Sequence, residues 1–371
     1  MKKINGHELI GLLEAFSPKE YAMEGDRIGL QIGRLNRPAE RVLIALDLVE
    51  EVVDEAIEIN AQLIIVHHPP IYRPLAKVAT DTVQGKIIEK LIKHDISVYV
   101  AHTNLDVAKG GVNDMLADAL GLQNPEVLVP TFDEKLKKLA VFVPVDHADA
   151  VRKAIGSAGA GAIGEYSFCS FSSEGTGRFL PGEGTNPFIG QQGQIEEVEE
   201  VKVETIIPDR LVKKVISAML KAHPYEEPAY DLYPLENKGE SLGLGRIGTI
   251  EEMTLAEFAN KVKADLDVEN VRVVGNLDAK VKKVAVLGGD GNKYFSQAKF
   301  RGADVYVTGD IYYHVAHDGL MLGLNMIDPG HNVEKIMKKG LAAVLSQMCE
   351  KAGFDAEIIA SEISTDPFKV V

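Results

Sequence analysis

The chain has 371 residues, of which 46% are hydrophobic, a net charge of −15 and only two cysteines. That length exceeds one ordinary domain and points to two or three. The acidic balance argues against a nucleic-acid surface, which needs clustered Lys and Arg, and two distant cysteines, Cys169 and Cys349, argue against a disulfide framework or a thiolate zinc site.

A first helix is predicted over 7–16, with Leu9, Ile10, Leu12, Leu13 and Phe16 at helical spacing. It carries Glu8 and Glu14 inside its apolar pattern, so it reads as an amphipathic helix and not a signal peptide. No run of about eighteen apolar residues occurs anywhere, so no membrane span is expected and the cytoplasm is the default location. Asp26 and Gly29 are read as a turn before a strand with Leu30 and Ile32. A strand over 41–47 and a helix over 48–60 follow.

The next stretch, AQLIIVHHPP, organises the rest of the chain. Leu63 to Val66 is a fully apolar run, the pattern of a strand buried on both faces. Pro69 and Pro70 cannot donate to a ladder, so the strand stops and presents His67 and His68 at its C-terminal end. Ligands bind at that end of open α/β sheets. Adjacent strand side chains point to opposite faces, so one imidazole could instead cap the core. A helix over 84–94, a strand over 96–101 running into His102-Thr103-Asn104-Leu105-Asp106, and a helix over 112–120 complete a β-α-β-α-β-α progression. That progression implies a parallel sheet with helices on its faces.

Near residue 130 the pattern changes. Strands over 136–144 and 201–208 each end in Pro and are followed by an Asp and a helix, and each helix is followed by a strand, over 165–171 and 229–235. Asp suits a helix start because it caps free N–H groups. Two β-α-β units predict a ferredoxin-like domain over 129–239, inserted between an α/β half over 1–128 and another over 240–371. The Gly- and Gln-rich segment 175–194 reads as a hairpin-like loop, with a small-ligand or subunit-contacting role as the alternative.

From residue 240 the first pattern resumes, with strands over 282–287, 303–308 and 324–328 and helices over 294–300, from about 312 and over 333–349. RVLIALD matches KKVAVLGGD, AQLIIVHHP matches ADVYVTGDI, and ISVYVAHTNLD matches LNMIDPGHN. The chain is therefore read as an internal duplication, which places His67, His68, His102, Asp106, Asp310 and His331 after equivalent strands. His331 and Glu334 are three apart and share one helical face. Alone, Glu334 could be an N-terminal helix charge and Asp106 a turn residue. Together, His67, His68, Asp106, His331 and Glu334 exceed the needs of one zinc ion. A carboxylate can bridge two ions. Imidazole and carboxylate without thiolate suit zinc, iron, manganese or cobalt, and the sequence does not choose among them. His223 after a helix reads as a cation at the helix end, or with Glu226 and Glu227 as a second metal site. His314 and His317 are read as surface or core histidines, or as lining the cleft.

HHP after one apolar strand, HTNLD after the next and a late GH-x-x-E resemble the Nif-three-like dinuclear metal proteins, the GTP cyclohydrolase 1 type 2 homologues. The segment Asp26 to Leu30 is similar to an early family segment, W-D-N-V-G-L, with Glu24-Gly25 where Trp is usual. HPYEEPAYDLYPL resembles the members that carry an inserted CutA/PII-like module. The resemblance implies a toroidal homohexamer with two divalent ions per subunit facing a cavity, held by His67, His68, Asp106, His331 and Glu334. The expected function is a metal-dependent hydrolase acting on a small molecule through a metal-activated hydroxide. His102, if not itself a ligand, is the proton shuttle. The family name implies GTP, although no phosphate loop is visible. The competing expectation is a metal-binding regulatory or metal-handling protein whose insert senses a small ligand.

Overall fold

The apolar runs of the first half form the parallel strands Arg41–Ala45, Leu63–Val66 and Ser97–Val100 in consecutive order. Those of the second half form Lys280–Asp290, Val305–Gly309 and Asn325–Asp328 in the same order. The third strand of each trio is flanked by an antiparallel edge strand, Gly29–Ile32 in one sheet and Arg272–Val274 in the other. The computed structural model describes residues 2–371, in two compact units: the chain up to Phe132 with Leu242–Val371, and Asp133–Ser241. The architecture is mixed α/β.

In the larger unit strand alternation divides the core. Val42, Ile44, Ile65, Val284, Val286, Val305 and Val307 point into one shared core with Leu9, Leu13, Leu116, Phe258 and Leu341 of the helices. Leu43, Ile64, Val66 and Val98 point the other way, under the helices Glu50–Glu58 and Val83–Lys93. Ala285, Tyr306 and Met326 form the corresponding outer layer of the second sheet. Both faces of each central strand are buried, which is why these strands are apolar throughout and not alternating.

Several elements fall outside the expectations. Gln123–Asp133 and Ser241–Thr254 complete the six-stranded sheet, and the expected boundary at 128–129 falls inside the first of them. Gln123–Asp133 carries Pro125 and Pro130 and lies at the sheet edge, where a missing N–H is tolerated. The helix Leu255–Asp265 was not anticipated either; it is opened by a capping box between Thr254 and Glu257. The C-terminal strand Glu357–Ala360 crosses to the first half and pairs in parallel with Arg41–Ala45. Each half therefore does not complete its own sheet. No described helix is long and apolar enough to cross a membrane.

The smaller unit has strands Leu136–Pro144, Phe171–Phe179, Glu196–Pro208 and Tyr230–Leu235, with helices Ala148–Ser157 and Val212–Ala222. Its antiparallel order is fourth, first, third, second. The strand expected over 165–171 lies instead at Phe171–Phe179 and runs into the start of the segment read as a loop. Residues 163 and 166 form only an isolated bridge, and Phe168 has φ of 59°, which breaks an extended run.

Candidate metal centre

Both parallel sheets end at one place. Beyond Val66 the backbone N–H groups of His67 and His68 still bond to Leu46, so both imidazoles are fixed by the strand's own ladder. The His67 ring is fully buried. The strand Ser97–Val100 leads to His102, and the short helix Thr103–Val107 carries Asp106 into the interior at 8% exposure. From the second half, His331 and Glu334 lie in a 3-10 turn, His331–Lys335, rather than in the α-helix expected there. Side chains three apart eclipse in a 3-10 turn, so the shared face is retained. The ring centroids of His68 and His331 are 5.1 Å apart, so the two halves converge.

Glu334 sits at the middle. Its Oε2 lies 3.0 Å from His68 Nε2, 3.2 Å from His331 Nε2 and 3.8 Å from His67 Nε2. Asp106 Oδ1 lies 3.5 Å from His67 Nε2, yet neither atom has a hydrogen-bond partner although both are buried. Leaving such atoms unpaired costs about 1 to 3 kcal/mol each, so the pair is suited to share a cation. Three sets of ligand atoms each lie within 4.8 Å of one another: His67-His68-His102, His68-His331-Glu334 and His67-Asp106-Glu334. These groups can hold a metal ion, and they share members, so they form one continuous cluster.

Each imidazole is oriented from behind. His67 Nδ1 is 2.8 Å from the carbonyl of Ala101, His68 Nδ1 is 2.6 Å from Asp47, His102 Nδ1 is 2.8 Å from Asp26, and His331 Nδ1 is 2.7 Å from Asp310. An Nδ1–H donated outward leaves Nε2 as the inward lone pair, the usual arrangement behind a metal-bound histidine. Asp47 also accepts from the Thr365 hydroxyl, and Asp26 from the backbone and hydroxyl of Thr103. Asn113 ties the halves together, donating to the Asp106 carbonyl and accepting from Gly288 N–H. Gly289, at φ of +63°, leaves room for the carboxylate, since a Cβ there would stand 2.8 Å from Glu334 Oε1.

The charges interlock. Burial disfavours a charged His68, but its bonds to Asp47 and Glu334 outweigh that and push it up to about 10. Glu334 is held well below the usual carboxylate range despite burial, because His331, His67 and His68 surround it. Burial pushes Asp106 up to about 6 while His67 pulls it down. Imidazole protons thus balance the carboxylates here, the places that a divalent cation takes when it displaces protons.

The outer carboxylates Asp26 and Asp47 were missed as parts of this site, and Asp310 was recognised only by its place after a strand. The available signal was position: Asp47 and Asp310 each follow a buried apolar strand by no more than two residues. His102, expected to shuttle protons, stands within a ligand-capable set. His223 caps the C-terminus of the helix Val212–Ala222, as expected; its Nε2 bonds the Phe142 carbonyl, its Nδ1 accepts from Tyr225 N–H, and burial lowers its pKa, which favours the neutral ring. Among the described residues His223, Glu226 and Glu227 form no ligand-capable set. His314 and His317 are exposed and pack on Tyr313, outside every such set.

The sequence profile of the family described as Duf34/NIF3 (NGG1p interacting factor 3) matches residues 4–367. A Halalkalibacterium halodurans protein named GTP cyclohydrolase 1 type 2 homolog is 60% identical over 372 residues, covering 100% of both chains. A Bacillus subtilis protein of the same name is 59% identical over 368 residues, covering 99% of both. The crystal structure of a Bacillus cereus protein related to NIF3 superposes with a TM-score of 0.96 at 64% identity, covering 100% of both chains.

Proposed function

The chain belongs to the Duf34/NIF3 family, and on that premise we propose that the cluster is a dinuclear divalent-metal centre of a metal-dependent hydrolase acting on a small molecule. The observation that carries this reading is the buried pair His67 Nε2 and Asp106 Oδ1, both unpartnered and 3.5 Å apart. His67, His68, Asp106, His331 and Glu334 would hold the ions; Glu334 Oε2 stands 3.0 Å from His68 Nε2, 3.2 Å from His331 Nε2 and 3.8 Å from His67 Nε2. Nitrogen and oxygen donors without thiolate favour zinc or iron, then manganese or cobalt.

When bound, such ions supply Lewis acidity and make water a stronger acid. The chain's own residues do the rest. Asp47 and Asp310 keep His68 and His331 in the tautomer that presents Nε2 inward. Asp26 does the same for His102, which serves as a proton carrier at Nε2 where it is not itself a ligand. The relatives' name points to GTP; in a chain of net charge −15 the centre's cations are the available neutralising charge for a triphosphate. The smaller unit is read as a ferredoxin-like, CutA/PII-type module, a reading that rests on its fourth-first-third-second strand order.

The test is elemental analysis of freshly purified protein followed by turnover assays on nucleotides and phosphoesters. The reading expects two divalent ions per chain and an activity that disappears with the metal in His67→Ala. Tight metal binding with no turnover on the whole panel would reject the hydrolase. It would favour a metal-binding regulator, for which the supporting observation is a cavity in the smaller unit.

A further inference from the structure

The sheet of the smaller unit has helices on one face only. Val141, Val143, Val203 and Ile207 face those helices and pack on Val151, Ile155, Val215 and Met219. By strand alternation Phe142, Glu200 and Lys202 point to the other face. That face is roofed by the segment following Phe171–Phe179, and a cavity of about 790 Å³ lies beneath it. The volume is that of a small-molecule pocket.

Its lining combines open space with negative charge. Gly175 and Gly177 form a floor without side chains, and a Cβ on Gly177 would stand 2.1 Å from Glu200 Oε2. Phe179 and Phe188 approach Tyr225 with ring centroids at 5.8 and 6.4 Å. Glu200 is only 8% exposed. Its Oε1 accepts from the Tyr225 hydroxyl at 3.0 Å, and its Oε2 takes no hydrogen bond from the described residues. Five glutamates line the cavity against one arginine and one lysine. Both cations are already engaged elsewhere, Arg178 with Glu197 and Lys202 with Glu204.

We propose that this cavity is a binding site for a small organic cation, an ammonium or guanidinium compound, with Glu200 Oε2 as the counter-ion and Phe179, Phe188 and Tyr225 as the aromatic wall. Glu200 is largely buried, lines the cavity and forms no ion pair among the described residues, a setting that favours a cation beside it. Aromatic faces attract alkylammonium and guanidinium groups and do not attract anions. The volume is far larger than a metal ion fills, and the excess of carboxylates repels nucleotides and phosphate. This site shares no residue with the metal centre and does not rest on the hydrolase reading.

The experiment is calorimetric titration of the full-length protein with agmatine, spermidine and tetramethylammonium, and with ATP and orthophosphate as anionic probes. At least one amine binds with saturation, neither anion competes, and Glu200→Gln weakens binding about tenfold or more, as expected for loss of a charge-assisted contact. Phe188→Ala, on a half-exposed loop side chain, also weakens it while leaving thermal unfolding unchanged, and decides the matter if Glu200→Gln fails to fold. Three outcomes overturn the proposal: no amine binds up to about 10 mM, amine binding is untouched by the variants, or ATP or orthophosphate occupies the cavity instead.

Discussion

At the scale of single residues, the centre depends on groups that never face inward. Asp310 adopts φ of 55°, a region that Asp and Asn tolerate better than other side chains. Asp310→Asn therefore keeps the backbone while removing the charge behind His331. Metal affinity should fall by roughly ten- to a hundredfold, the usual effect of losing an outer carboxylate, with an unchanged circular dichroism spectrum; competition against a chromogenic chelator measures it. Gly289→Ala acts differently. The left-handed backbone alone costs about 1 to 2 kcal/mol for a residue with a Cβ, and that Cβ would press on Glu334. Lower unfolding temperature together with lost metal is expected; a variant with full metal content and native stability would contradict the described packing.

At the scale of elements, the first helix, Gly6–Phe16, is held to the sheet by more than its apolar face. Glu14 accepts a hydrogen bond from the Tyr99 hydroxyl at 2.5 Å and pairs with Lys19 at 2.9 Å. Burial pushes the Glu14 carboxyl up, but Lys19 and Tyr99 outweigh it and hold it below its ordinary 4.5. A depressed carboxyl stabilises the fold above its unfolded pKa, and that contribution is lost as pH falls through the folded value. The unfolding-temperature deficit of Glu14→Gln should thus be greatest near neutral pH and shrink as the pH falls below the ordinary carboxylate range. A deficit that stays constant across this range would show that the ionised carboxyl contributes nothing to helix docking.

At the scale of the whole molecule, the smaller unit enters and leaves through neighbouring strands. The Ser241 hydroxyl bonds Asp133, so the two ends of the excursion meet. Joining them after removal of 134–240 should leave a folded protein that still binds metal, because none of the proposed ligands lies in that span. Metal analysis and thermal unfolding of the shortened chain check this, and a folded but metal-free product would contradict the ligand set. The opposite is expected at the other end of the chain. Removing 357–371 strips a strand from Arg41–Ala45 and takes Thr365 from Asp47. Both the unfolding temperature and metal retention should drop together.

Local chemistry was enough to read the central strands and to single out side chains that the fold brings within reach of one another. A strand buried on both faces must be apolar, so Leu63–Val66 announced itself, and the prolines after His68 marked its end. Repetition of that pattern revealed two halves, and Asp106, His331 and Glu334 followed from their places after strands. Edge strands were harder to see, because Gln123–Asp133 contains prolines and is largely exposed, and its pairing partner lies more than a hundred residues away. The crossing of Glu357–Ala360 and the alliances of Asp26, Asp47 and Asp310 with their histidines are contacts between distant segments, most of them at hydrogen-bond range. Periodicity describes which way a side chain points along its own element. Which carboxylate meets which imidazole is decided only when two sheets close on a shared core, since that step alone sets the distances.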